Sequence, residues 1–62
     1  MKEVIQHIMD REGITKQEAT ITLAETKERM INAALFSDYD EVEEILMRDL
    51  GLEADYIDII FT

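Results

Sequence analysis

The stretch GITKQEATITLAETKERMINAALF, residues 13–36, decides the fold. Gly13 closes the segment before it, because a residue without Cβ readily takes the left-handed conformation that ends a helix. Thr15–Lys16–Gln17–Glu18 then opens a new helix as a capping box, in which the Thr15 side chain caps the backbone and Glu18 reaches back to it. No Gly or Pro interrupts residues 16–35, and their spacing predicts one helix over that range. Its apolar residues occupy two faces. Ala19, Leu23, Met30, Ala33 and Ala34 form one stripe, Ile21, Ala24, Ile31 and Leu35 a second, and Lys27 stands on the border. An arc that wide predicts packing on two sides and therefore a central position.

Reading outward, Val4, Ile5, Ile8 and Met9 fall on one arc at helical spacing, opposite Lys2, Gln6 and Asp10, which predicts an amphipathic helix over 2–12. His7 borders that arc, and a lone His at a helix margin reads as structural. Downstream, Phe36–Ser37–Asp38 is a turn, and either Ser37 or Asp38 caps a third helix over 39–50. Asp40, Glu41 and Glu43 favour the positive end of its dipole, Val42, Ile45, Leu46 and Leu50 form its apolar face, and Gly51 ends it. Asp49 falls inside that apolar arc, where a carboxylate needs a cationic or hydrogen-bonding partner if buried; exposure at the rim is the expectation. The last stretch, residues 52–62, is too short for periodicity to choose between helix and strand. The fold class expected is all-α: a compact three-helix domain over 1–62 with a short C-terminal helix or strand.

Sixty-two residues leave room for one small core and no deep enclosed active site. Apolar burial of about 95 kcal/mol is nearly cancelled by about 93 kcal/mol of chain entropy, a balance that small domains tip with regular helices or a partner chain. There is no Cys, which excludes disulfides and thiolate metal sites, and a single His disfavours zinc. A calcium loop counted from Asp38 fails, with Glu43 where Gly belongs and Asp49 in place of the bidentate Glu. Ser37 and the threonines lack an oriented base, and the carboxylates lack a cleft that would separate their roles, so no enzyme activity and no cofactor are expected. No apolar run is long enough to span a bilayer and no signal peptide opens the chain, which points to the cytosol.

Six basic residues stand against fifteen acidic ones, a net charge of −9. Residues 37–62 hold nine of the acids and one base, Arg48, so this part alone carries −8. Such a charge repels phosphate and disfavours direct nucleic-acid or membrane binding. It suits a basic protein surface instead. Asp38, Asp40, Glu41, Glu43 and Glu44, with Met47 as an apolar anchor among them, are the candidate partner-binding face, where charge steers the encounter. Ile31 and Leu35 on the second helix, with Tyr56, Ile57, Ile60 and Phe61 in the C-terminal run, are the candidates for self-association, and a homodimer is expected.

Two stretches, Val4–Ile5–Gln6–His7–Ile8–Met9–Asp10–Arg11–Glu12–Gly13 and Gly51–Leu52–Glu53–Ala54–Asp55–Tyr56–Ile57–Asp58, with Thr15, Glu18 and Ala19 between them, resemble small acidic proteins encoded by phages and prophages of Gram-positive bacteria. The resemblance implies a genomic setting in which very small acidic proteins bind and block a host enzyme or an antiviral defence component; it transfers no functional residue. The function expected is a protein–protein interaction module that inhibits a host protein with a basic surface, in the manner of a nucleic-acid mimic. The alternative is a self-associating assembly module whose acidity serves solubility.

Overall fold

A computed structural model of the chain describes residues 2–36 and 38–61. Helix α1 spans Lys2–Glu12, α2 Lys16–Leu35, α3 Tyr39–Ile45 and α4 Tyr56–Phe61, and a π-helical turn at Leu46–Leu50 continues α3. The class is all-α, with no strand among the described residues. None of the helices among them is long and apolar enough to cross a membrane.

Local chemistry accounts for the boundaries. Gly13, at φ 65°, ends α1, and both its N–H and that of Ile14 donate to the Met9 carbonyl, at 2.8 and 3.3 Å. The capping box forms as read: Glu18 N–H donates to Thr15 Oγ1 at 3.2 Å, and Thr15 N–H donates to Glu18 Oε1 at 3.0 Å. Asp38 caps α3, its carboxylate accepting from Glu41 N–H at 3.0 Å. The other candidate cap, Ser37, lies outside the described residues. In the C-terminal run, Tyr56 and Ile57 N–H donate to the Glu53 and Ala54 carbonyls, both at 3.0 Å, and the turn so formed leads into a helix.

One core cluster joins these elements. Val4 and Ile8 of α1, Ala19, Leu23 and Met30 of α2, Val42, Ile45, Leu46 and Leu50 of the third helix, Leu52 and Ile60 are its buried apolar members. Helix α2 touches α1, α3 and the π turn and is central as expected. The two-sided packing does not occur. Only the Ala19–Leu23–Met30 stripe is buried, and it includes Thr26; Ile21, Ala24, Ile31 and Leu35 face outward, because the other helices all lie over the same side.

The third helix differs from the uniform helix over 39–50. Its last five residues widen into a π turn, and the Gly51 and Leu52 N–H groups donate to the Met47 and Leu46 carbonyls at 2.9 and 3.4 Å. Each of these bonds reaches one residue further than in an ordinary Schellman ending. Two side chains of α1 hold the widened end: His7 Nε2 donates to the Leu50 carbonyl at 2.8 Å, and Arg11 Nη1 to the Asp49 carbonyl at 3.0 Å. The π turn packs against α2 and carries Asp49 to it. There Arg29 Nη2 lies 2.8 Å from Asp49 Oδ2, with Arg48 Nε 3.6 Å from Oδ1. The closer contact is an ion pair whose N–H direction misses hydrogen-bond geometry, so Oδ2 is buried without a hydrogen bond. With its side chain 19% exposed, Asp49 takes the paired alternative, not the rim exposure expected.

Candidate functional site

The end of α2 runs beyond the core. Phe36 and Asp38 N–H both donate to the Ala33 carbonyl, at 3.2 and 3.1 Å, and this tight reversal lays α3 back against α2. Tyr39 is thereby placed in the first turn of α3 and points outward beside the last turn of α2. Helix α4 closes the third side, its end held where Lys27 Nζ sits 5.8 Å from the centroid of the Phe61 ring. The result is an open groove of about 340 Å³ lined by Ile31, Ala34 and Leu35 of α2, Tyr39 and Val42 of α3, and Ile57 and Phe61 of α4. Leu35 is 75% exposed, and Phe36 next to it is 84% exposed.

The groove brings together Ile31, Leu35, Ile57 and Phe61, four of the six residues assigned to self-association. The other two belong elsewhere. Ile60 is fully buried and serves the core, since α4 turns it inward between Ile57 and Phe61; Tyr56 is half-buried and packs against the core. Sequence reading missed Tyr39 and Val42 as groove residues. Their spacing of three, which puts both on one face of a helix, is the signal that finds them.

The acidic face lies along the same helix. Asp38 and Asp40 flank Tyr39 and are exposed, as are Glu43 and Glu44, while Glu41 is half-buried. Glu44 accepts from Arg48 Nη1 at 3.2 Å, which partly neutralises the far end of the face. Met47 stands exposed one turn beyond Glu43 and Glu44. Helix α3 therefore gives Tyr39 and Val42 to the trough and carries Asp40 and Glu41 in the same first turn, with Glu43 and Glu44 in the next, and such a surface can steer a cationic partner and then bury its apolar side chains.

His7 does structural work through its bond to Leu50. A carbonyl only accepts, so Nε2 carries the proton there. Among the described residues the one clear pKa displacement is at Glu18, held below the usual carboxylate value by the Thr15 backbone N–H and then by the Thr15 hydroxyl. It belongs to the helix cap, away from the groove. Compared with known proteins, the chain matches no family model, no curated protein and no solved structure.

Proposed function

We propose that the protein is a small acidic interaction module that binds and inhibits a host protein carrying a basic surface, in the phage-type setting implied by its two terminal stretches. The α3 carboxylates take the place of nucleic-acid phosphates in steering the encounter, and the adjoining groove supplies affinity. The observation that carries this reading is the position of Tyr39, which lines the groove while Asp38 and Asp40 flank it. No cofactor, catalysis, membrane attachment or direct nucleic-acid contact enters the reading, and the site of action is the host cytosol.

The test compares three immobilised baits: wild type, Leu35→Asp, and the triple variant Asp40→Lys, Glu43→Lys, Glu44→Lys. A protein held by the wild type, lost with either variant and released by DNA is the expected outcome. Retention that survives the charge reversal contradicts the mimic.

A second reading is a homodimer formed through the same groove, with the acids serving solubility. The gathering of Ile31, Leu35, Ile57 and Phe61 on one open surface favours it. Light scattering across concentration separates the two, since only the homodimer gains mass as the isolated chain is concentrated.

A further inference from the structure

Resting on the interaction reading above, we infer that the groove between the ends of α2, α3 and α4 takes an amphipathic helix of the partner, with basic residues flanking that helix's apolar stripe. Three helices wall the trough, and with no strand among the described residues it has no sheet edge along which an extended segment could pair. A helix that lays residues at i, i+3, i+4 and i+7 into an apolar trough needs no main-chain partner. Leu35, the most exposed of the groove's apolar residues, is the central contact.

Charge selects the flanks. Asp38 and Asp40 precede and follow Tyr39 in the chain and are exposed, Asp38 also capping α3 through Oδ1, and Lys27, the base at the α4 side, is engaged over the Phe61 ring. A helix carrying Lys or Arg beside its stripe meets those carboxylates, while an acidic one is repelled.

The same charge disfavours a second copy as the occupant. Two grooves brought face to face would bring together the two segments that each carry −8 of the chain's −9. The chain's own basic and apolar depression, around Lys2, Ile5, Met9 and Lys16, has little to insert, because Ile5 and Met9 already pack half-buried against the core.

The experiment titrates the intact protein with three synthetic helical peptides of equal length. One carries a Leu stripe with Lys flanks, one the same stripe with Glu flanks, and one the Lys flanks with its Leu residues scrambled around the helix. The expected result is methyl-resonance shifts at Ile31, Leu35 and Ile57 with the first peptide, and binding about tenfold or more weaker with each of the others. Leu35→Asp, at an exposed position, is expected to weaken the first peptide by a similar factor while leaving the thermal melt in place. Equal binding of the striped and scrambled Lys peptides overturns the inference, as do shifts away from the groove or a dimer that already protects it. If the peptides fail while bait retention still requires Leu35 and the α3 acids, the helical partner falls and the interaction module stands. If retention ignores both, the module falls as well.

Discussion

Gly51 carries φ 66°, and a Cβ built there meets Arg11 Nε at 2.8 Å. Ala at this position is strained in its backbone and displaces the guanidinium that binds the Asp49 carbonyl, so Gly51→Ala is expected to cost about 1–2 kcal/mol in urea denaturation. Gly13 has the same backbone conformation and open space around it, so only the backbone part of that cost applies there. Thr15→Ala removes the acceptor for Glu18 N–H and is expected to lower stability by about 1 kcal/mol. Its partner Glu18 adds a pH dependence with a definite sign. Because the folded-state pKa is lowered, the contribution is fully present above the ordinary Glu value and is lost as pH falls through the lowered one. The stability difference between wild type and Glu18→Gln, measured by denaturation at a series of pH values, is therefore expected at neutral pH and should vanish in strong acid. A difference that widens on acidification would reverse the assignment.

At the scale of the element, the helix starts and stops could be read because their causes are local. Thr15 with Glu18 spans four residues, and Gly13 and Gly51 act on the turns they end. The helix over 39–50 is present as an element, but the π turn within it could not be read. The side chains that grip it, His7, Arg11 and Arg29, lie on α1 and α2, 43, 38 and 20 residues from their partners in the chain. Asp49 shows the consequence: at helical spacing it falls in an apolar arc, and the partner that compensates it there, Arg29, stands on another helix. Arg29 Nη2 also donates to the buried Thr26 hydroxyl at 3.2 Å, so one guanidinium ties α2 to the π turn. Removing it leaves Asp49 with only the longer Arg48 contact at Oδ1 while Oδ2 stays buried, and Arg29→Ala is expected to cost about 1–2 kcal/mol. The double variant Arg29→Ala, Asp49→Leu should recover most of that loss, since an apolar residue of similar size replaces a desolvated charge. A double variant no more stable than Arg29→Ala would mean that the loss does not come from leaving the Asp49 carboxylate uncompensated.

Across the whole molecule, the accessible surface of 4384 Å² is close to the roughly 4,100 Å² expected for a chain of this mass. The charge imbalance was fully legible, and so was the apolar character of Ile31, Leu35, Ile57 and Phe61. Which of the apolar C-terminal residues turn inward was not, because that depends on how α4 docks; Ile60 went to the core while its neighbour Phe61 went to the groove. The second apolar stripe of α2 was legible as a stripe, but its exposure was not, because that depends on which side of α2 the other helices take. Self-repulsion among carboxylates weakens the folded state at low ionic strength, and the melting temperature is expected to rise as salt is added. In the reading proposed above, that same repulsion keeps the groove free for a different molecule. The central claim is tested most directly by size exclusion with light scattering, on wild type and Leu35→Asp, over a wide concentration range at low and high salt. Both chains are expected to remain monomers at low salt. A wild-type dimer that persists at low salt and dissociates on Leu35→Asp would contradict the account and assign the groove to self-association.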